Sequence, residues 1–251
     1  MTSLRTVNMA ENVISGPVPA GLGALPNLVE LGLRGNGLTG TIPDFSANQG
    51  SLQVVDLEKN QLSGSVTGLF TTTPPQSLEQ VRLTENMLVG TLPATIGQYT
   101  GLVDFRLEFN MISGSLPTEV SLLVLRELNL KDNNLIGTIP TQLGTMTTLS
   151  KIRLENNQIT GEIPSELGLL TDLKELRLEN NNLVGQIPGE LASLPLDNLF
   201  LSNNMLEGDV SEFCADGNSL KSFAVNSCSE VTITCSCCTH CCNYECTKLE
   251  S

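Results

Sequence analysis

Four arginines recur at regular intervals along the sequence, and a glutamate follows three of them two residues later. A guanidinium group binds a carboxylate through two parallel hydrogen bonds. Such a row therefore predicts either a lattice of internal ion pairs or a surface that binds carboxylates and polar groups of a ligand. Two phenylalanines without a buried place in the pattern are candidate anchors of the same surface. The candidate ligand-binding residues are Arg82, Arg106, Glu108, Phe109, Arg153, Glu155, Arg177, Glu179 and Phe200.

All eight cysteines lie in the C-terminal segment that begins at Cys214. An even number of cysteines confined to one segment predicts a disulfide framework in an oxidising compartment. The alternative is a soft metal ion, held by Cys235, Cys238, His240 and Cys241. The disulfide candidates are Cys214, Cys228, Cys235, Cys237, Cys238, Cys241, Cys242 and Cys246.

The sequence gives little support to catalysis. The only histidine is His240 in the cysteine-rich segment, which excludes a Ser-His-Asp or Cys-His arrangement on the preceding residues. Acidic pairs such as Asp56 and Glu58 fall at positions that we expect to be open and solvated, without a pocket that would shift their pKa values. We therefore expect a non-catalytic protein without a cofactor.

A repeat of 23 to 26 residues positions these side chains, and residues 149–172 form a clear copy: LSKIRLENNQITGEIPSELGLLTD. Self-similarity at this period predicts a solenoid of stacked coils. Apolar and polar residues alternate at Ile152-Arg153-Leu154, which predicts a short strand with one buried face. All seven arginines of the chain fall on the outward positions of these strands. The predicted binding surface is therefore a parallel sheet with one strand per coil.

The other fixed residues of the repeat follow the strand. Asparagine occupies the ninth place of all nine full copies, where its amide can bond backbone groups and form a ladder between coils. Glycine follows four residues later, and proline closes seven of the nine copies. A single coil buries too few aliphatic side chains to offset its backbone entropy, so the coils must stack.

The pattern LxxLxLxxNxLxGxIPxxLGxL covers residues 4 to about 228 and resembles the plant-type leucine-rich repeat of receptor-like kinase ectodomains and polygalacturonase-inhibiting proteins. The resemblance implies an α/β-type solenoid, a superhelix with a parallel concave β-sheet and an irregular or 3-10 convex side. We expect the repeat array at 1–213, and a terminal half-coil, a C-terminal cap and a cysteine-rich tail at 214–251. The tail is similar to those of some diatom receptor-like proteins with this repeat.

Charge and composition narrow the class of partner. The net charge of −14 argues against binding to nucleic acid or to anionic membranes. No apolar run approaches the roughly 20 residues of a membrane span. The sequence lacks the signal peptide and the cysteine-paired N-terminal cap that plant-type arrays carry, so we expect a fragment whose first coil has an exposed core.

These features predict a module that binds a protein or peptide through the concave sheet, as the extracellular part of a receptor-like or inhibitor-like protein. We expect alanine at Arg106, Arg153 and Arg177 to abolish partner binding and to leave folding intact. An intracellular scaffold with a metal-binding tail is the alternative, and the absence of any Asn-x-Ser/Thr sequence favours it. Ice or surface binding is a third hypothesis, based on the hydroxyl column Thr41, Ser65, Thr91, Ser115 and Thr138.

Overall fold

A computed structural model describes residues 3–48, 50–70, 77–214, 220–225 and 233–234. The chain folds as two compact units. The first unit comprises Met1–Leu125 with Asp132–Asn134, and the second comprises Arg126–Lys131 with Leu135–Ser251. Both units are built from the coils that the repeat predicts.

Each coil begins with a three-residue strand, which we call the main strand, and main strands of successive coils pair in parallel within each unit. In the first unit they are β1 (Thr6–Asn8), β3 (Glu30–Gly32), β5 (Val54–Asp56), β7 (Gln80–Arg82) and β9 (Asp104–Arg106). In the second unit they are β11 (Glu127–Asn129), β13 (Lys151–Arg153), β15 (Glu175–Arg177), β17 (Asn198–Phe200) and β19 (Ser222–Ala224). The last of these, β19, lies in the segment where a terminal half-coil is expected.

A second strand follows the asparagine of each coil, where the repeat pattern predicts no strand. In the first unit these strands are β2 (Ser15–Pro17), β4 (Gly37–Thr41), β6 (Gln61–Ser65), β8 (Met87–Thr91) and β10 (Met111–Ser115). In the second unit they are β14 (Thr160–Gly161), β16 (Asn182–Gln186), β18 (Met205–Asp209) and β20 (Ile233–Thr234). Strand β12 (Asn134–Ile136) begins at the last residue of the first unit and continues in the second. These strands also pair in parallel within each unit.

Short helical turns complete the coils, as the resemblance implies. One is a four-residue α-helix, α1 (Ala20–Gly23). The 3-10 turns are η1 (Val66–Gly68), η2 (Ala94–Gln98), η3 (Thr118–Leu122), η4 (Thr141–Thr145), η5 (Ser165–Leu169), η6 (Gly189–Ser193) and η7 (Ser211–Cys214). Prolines such as Pro164 precede most of these turns with φ near −64°. Proline suits this place because it has no backbone N–H to leave unpaired at a helix start.

The repeated asparagine joins neighbouring coils, which confirms the predicted ladder. The Asn157 side-chain oxygen accepts a hydrogen bond from the backbone N–H of Leu135 at 2.9 Å. Its amide nitrogen donates to the carbonyl oxygens of Leu130, Leu154 and Glu155 at 3.0, 3.1 and 3.3 Å. One buried side chain thus satisfies four backbone groups where the chain turns off the main strand. Similar bonds are formed by Asn36, Asn60, Asn86, Asn110, Asn181 and Asn204.

Two turns in each coil need a left-handed backbone. The residue before the repeated asparagine has positive φ, as in Asn156 and Asn180, both at 57°. The repeated glycine is the second such place, with φ of +79° at Gly161. A side chain on Gly161 would also approach Thr138 Cγ2 to 2.8 Å, so both its conformation and its neighbour require glycine.

The core lies between the main strands, the second strands and the helical turns. Leu149, Ile152 and Leu154 are 0% exposed, and each such burial stabilises the fold by about 1.5–3 kcal/mol. In the first coil, Met9 is 42% exposed and Leu4 is half-buried, as expected for a coil with an exposed core. The described part of the chain does not include the insertion at 71–76, the cysteine side chains or His240. The predicted disulfide and metal sites therefore lie outside it.

Candidate functional site

In each unit, the predicted binding residues lie on one side of the main strands, which we call the main face of that unit. Strand β15 illustrates how it is built: Leu176 is buried, and Glu175 and Arg177 flank it on the opposite side. After a second buried leucine, Glu179 and Asn180 extend the face before the chain turns. Because every coil repeats this pattern, equivalent residues of successive coils form a column. Neighbouring strands, and therefore neighbouring residues of a column, are about 4.8 Å apart.

Glu175 is the centre of an ion-pair cluster on the main face of the second unit. Arg153 donates two hydrogen bonds to its carboxylate, at 3.0 and 3.2 Å, and Arg177 Nε donates a third at 2.6 Å. Glu175 is 8% exposed. Burial by itself raises the pKa of Glu175, but the bonds from the two arginines lower it below the usual value. The guanidinium groups are therefore held by a carboxylate of the chain itself.

The first unit repeats this arrangement around Asp104. Arg82 Nε donates to Asp104 Oδ2 at 2.7 Å, and Arg106 Nε donates to Asp104 Oδ1 at 2.8 Å. Arg82 also lies 3.9 Å from Asp56. The side chain of Arg106 is 49% exposed, and its bond to Asp104 raises the pKa of this guanidinium. Arg106 is thus the more open of the two arginines.

The sequence pattern did not identify Asp104 and Glu175 as part of the site. Each lies two residues before an arginine of its own strand. Each is also diagonally across from an arginine of the preceding strand, Arg82 for Asp104 and Arg153 for Glu175. That diagonal position is the signal that finds them, because a carboxylate there meets guanidinium groups from two coils. The cluster is a lattice of internal ion pairs, the first of the two arrangements that the arginine row predicts.

The two phenylalanines differ in their surroundings. The guanidinium of Arg177 lies 4.5 Å from the centroid of the Phe200 ring, a cation–π contact that leaves the ring half-buried. Phe109 is 44% exposed and has φ of 56°, a conformation that costs energy for a bulky residue. The positive φ belongs to the turn that the coils make before the repeated asparagine, and the exposed aromatic ring is what makes Phe109 a candidate anchor for a ligand.

Glutamate follows the second buried leucine in four coils, at Glu58 and Glu108 in the first unit and at Glu155 and Glu179 in the second. Glu58 and Glu155 are each 5% exposed, so the expectation of open, solvated acids is wrong at this position. The turn with positive φ begins directly after these residues, at Lys59 and Asn156. Glu108 and Glu179 are half-buried.

Burial raises the pKa of three glutamates at this position, Glu108, Glu155 and Glu179. It raises the pKa of Glu155 to about 7, and the charge of Glu179 adds to the effect. Burial also raises the pKa of Glu108 and of Glu179. The carboxylates of Glu108, Glu155 and Glu179 each retain a buried oxygen, Oε2, without a hydrogen-bond partner. Glu155 therefore titrates close to neutral pH.

Replacing Glu155 with glutamine should stabilise the protein in a pH-dependent way. The folded state holds the Glu155 proton up to about pH 7, but the unfolded chain releases it near 4.5, so the free energy of unfolding falls as pH rises through this range. Glutamine removes this loss, and we expect Glu155→Gln to be more stable by about 1–2 kcal/mol at pH 8 and equal at pH 4. Urea unfolding at the two pH values measures this. The exposed Glu207→Gln variant is the control, and equal stabilisation at both pH values would contradict the prediction.

Among the residues that the structure describes, no group of three or more His, Cys, Asp or Glu side chains is placed to hold a metal ion. No helix of the described part is long and apolar enough to cross a membrane. The charged clusters and the exposed Phe109 make the main face the candidate site.

The family model described as Leucine Rich Repeat matches residues 27–48, 124–146, 148–170 and 172–194. The chain is also similar to Receptor-like protein 31 of Arabidopsis thaliana, with 33% identity over 101 residues. That match covers 40% of this chain and 12% of the relative, so the chain spans only a small part of the relative's length.

Solved structures of plant receptors share the fold. The ectodomain of the Arabidopsis receptor kinase HAESA, in complex with an N-terminally extended IDA peptide hormone, has a TM-score of 0.81 and 29% identity. The match covers 90% of this chain and 38% of that one. The ectodomain of GASSHO1/SCHENGEN3 from Arabidopsis thaliana, in complex with CASPARIAN STRIP INTEGRITY FACTOR 2, has a TM-score of 0.75 and 30% identity, and the match covers 92% and 30%. The repeated asparagines, the paired parallel strands and the four matches to the family model show that this chain folds as a leucine-rich repeat solenoid, similar to plant receptor ectodomains.

Proposed function

We propose that this chain is the recognition module of a receptor-like protein at the cell surface and that it binds a peptide or protein segment through the main face. The observation that carries the proposal is the fixed order of charged side chains on that face, where Asp104 and Glu175 each hold two arginines. Side chains held in place before binding lose little entropy when a ligand arrives.

The similar structures support a peptide ligand. The HAESA ectodomain is bound to a peptide hormone, and this chain shares its fold over 90% of its length. The fold of such ectodomains is typically non-catalytic, which agrees with a binding role. Parallel main strands present outward side chains at a regular spacing, which suits an extended peptide laid across them.

A receptor-like role and an inhibitor-like role use the same kind of surface. Both roles place the chain outside the cell, where oxidising conditions favour disulfides between the cysteines after residue 213. An intact-mass and free-thiol measurement on protein from its native source separates these roles from the intracellular scaffold. Four bridges favour the proposal, and free or metal-bound thiols favour the scaffold.

Replacing Phe109 with alanine should weaken peptide binding at least tenfold. An exposed aromatic anchor contributes about 2 kcal/mol or more when it is covered by a ligand. Peptides are first selected from a displayed library against the whole immobilised chain, and their Kd values are then measured by calorimetry. Met111→Ala is the matched control, because Met111 is 43% exposed on β10, away from the main face.

The two variants together locate the binding surface. Weaker binding by Phe109→Ala with unchanged binding by Met111→Ala supports the main face. The reverse pattern, or equal affinity of both variants and the parent chain, would place binding on another surface and overturn the proposal. Melting curves of both variants exclude a loss of folding as the cause.

A further inference from the structure

Asn36 differs from the other repeated asparagines in the residue that follows it. Glycine stands there, as Gly37, whereas the other eight full copies of the repeat have Val, Gln, Met or Asn at this place. Asn36-Gly37 is also the only Asn-Gly sequence of the chain. Because glycine has no Cβ, its backbone nitrogen can approach the preceding side chain, attack the amide carbon and displace ammonia. This dipeptide is therefore chemically labile unless the fold restrains it.

The first coil, which contains β1 and β2, holds both reacting groups of this dipeptide. The Gly37 N–H donates to the Ile14 carbonyl at 2.8 Å, and the Asn36 side-chain oxygen accepts a hydrogen bond from the Ile14 N–H at 3.0 Å. The Asn36 side-chain nitrogen donates to the Met9 carbonyl at 3.0 Å. The attacking nitrogen and the group that it attacks are thus bonded to the same coil, and these bonds oppose the rotation that would bring them together.

The remaining bonds of Asn36 do not involve the first coil. Its side-chain nitrogen donates to the carbonyl oxygens of Leu33 and Arg34 at 3.0 and 3.2 Å. Its backbone N–H donates to the Lys59 carbonyl of the third coil at 3.2 Å. The second coil therefore keeps its own contacts when the first coil opens, and that opening alone releases the Gly37 N–H and the Asn36 side-chain oxygen.

Apolar side chains of the first coil are less buried than their equivalents in the second. Val7 and Ile14 are half-buried, whereas the equivalent Leu31 and Leu38 are 0% and 2% exposed. Val13 is 97% exposed. Because burial of apolar surface supplies most of the stability of a coil, the first coil opens more readily than the coils that follow it.

We propose that Asn36 is a modification site, at which opening of the first coil permits deamidation to aspartate and isoaspartate. The Gly37 nitrogen forms a bond to Asn36 Cγ, the bond from Cγ to the side-chain nitrogen breaks, and ammonia leaves with the proton of the Gly37 N–H. Water then opens the cyclic imide at either of its carbonyl carbons. The reaction consumes one water and releases one ammonia, and it does not depend on the peptide-binding role.

The product prevents the first coil from closing as before. A carboxylate has no hydrogen to donate, so the carbonyl oxygens of Met9, Leu33 and Arg34 lose their common donor. The new negative charge also lies close to these oxygens and repels them. Isoaspartate adds a methylene group to the backbone as well. An opening that is reversible before the reaction thereby becomes permanent.

Peptide mapping by mass spectrometry tests the proposal on the whole chain, incubated in mildly alkaline buffer with and without urea. Trypsin releases residues 35–59 as one peptide, and its fragment ions distinguish Asn36 from Asn48. We expect deamidation of Asn36 to be at least about tenfold slower in the folded chain than in urea, because only the open fraction reacts. Equal rates in the two buffers, or no reaction at Asn36 in urea, would overturn the proposal.

Gly37→Gln is the control for the chemistry. It reproduces the Asn60-Gln61 pair of the next coil, and a Cβ at Gly37 would meet its nearest atom, the Ile14 carbonyl oxygen, at an ordinary 3.5 Å. The variant should fold normally and deamidate far more slowly in both buffers. Deamidation at the parent rate in this variant would contradict attack by the glycine nitrogen.

Two core variants show which opening matters. Val7→Ala loosens the first coil and should raise the rate in the folded chain about fivefold, with no change in urea. Leu199→Ala loosens the second unit and should leave the rate in the folded chain unchanged. The reverse pattern, or an equal effect of both variants, would assign the reaction to unfolding of the whole chain and overturn the role of the first coil.

Asn36→Asp imitates the product. Hydrogen exchange of the Met9 and Glu11 amides, which donate to the second coil in the parent chain, should be at least about tenfold faster in this variant. Asn8→Asp is the matched control, because it adds the same charge to the first coil at a side chain whose bond, from the Ala10 N–H, aspartate also accepts. Exchange as slow in Asn36→Asp as in Asn8→Asp would show that the modified coil closes normally, which overturns the permanent opening.

Discussion

Replacing Asn157 with alanine should lower the free energy of unfolding by about 3 kcal/mol. The side chain bonds one backbone N–H and three carbonyl oxygens, and it is 8% exposed. Alanine leaves these groups without partners in a place that water reaches poorly. Urea unfolding followed by circular dichroism measures the loss.

Asn182 provides the matched control for this substitution. It lies on β16 of the same unit and is exposed. Asn182→Ala should therefore change the free energy of unfolding by less than about 0.5 kcal/mol. If Asn157→Ala is no less stable than Asn182→Ala, the repeated asparagine does not hold the coils together, and another contact must stabilise the turn.

The second large effect is expected for the double substitution Arg153→Ala and Arg177→Ala, which should cost about 2–3 kcal/mol. The two arginines are the hydrogen-bond partners of Glu175, whose side chain is 10% exposed. Removing both leaves a mostly buried carboxylate without a counter-charge. The arginine side chains are 26% and 34% exposed, so solvent reduces the loss below that of a fully buried pair.

Two further variants test this explanation. Arg126→Ala with Lys174→Ala removes the same charge from exposed positions of the same unit and should be nearly neutral. Adding Glu175→Gln to the Arg153→Ala and Arg177→Ala variant should restore part of the stability, because glutamine carries no charge to bury. A double variant as stable as the exposed control would show that the cluster contributes only surface ion pairs.

This second prediction revises the expectation that alanine at Arg106, Arg153 and Arg177 removes binding and leaves folding intact. The expectation treats the three arginines as equivalent outward residues. Arg106 is 49% exposed and bonded to one carboxylate, so it still fits that description. Arg153 and Arg177 hold Glu175, and a loss of binding after their removal would mix recognition with stability. Phe109→Ala is therefore the cleaner test of the main face.

Much of the fold follows from residues that act within one coil. The alternation Ile152-Arg153-Leu154 determines which side chains are buried, and Asn157 must satisfy the backbone where the strand ends. Gly161 is required by positive φ, and Pro164 by the start of a helical turn. These effects begin with local geometry that one copy of the repeat already contains, and repetition of the same residues lets Asn157 also bond the preceding coil. The sequence alone therefore determined the solenoid and the outward position of the arginines.

The second strands and the burial of individual acids were decided only by the tertiary structure. Whether Glu155 is solvated depends on the coils packed on either side of it, which its own coil does not encode. The same holds for Glu175, which becomes the centre of a cluster because arginines of two coils reach it. Burial and ion pairing are properties of neighbours brought together by stacking, and they decide the pKa of about 7 at Glu155. The repeat thus placed the charges, and the packing of coils gave each one its chemistry.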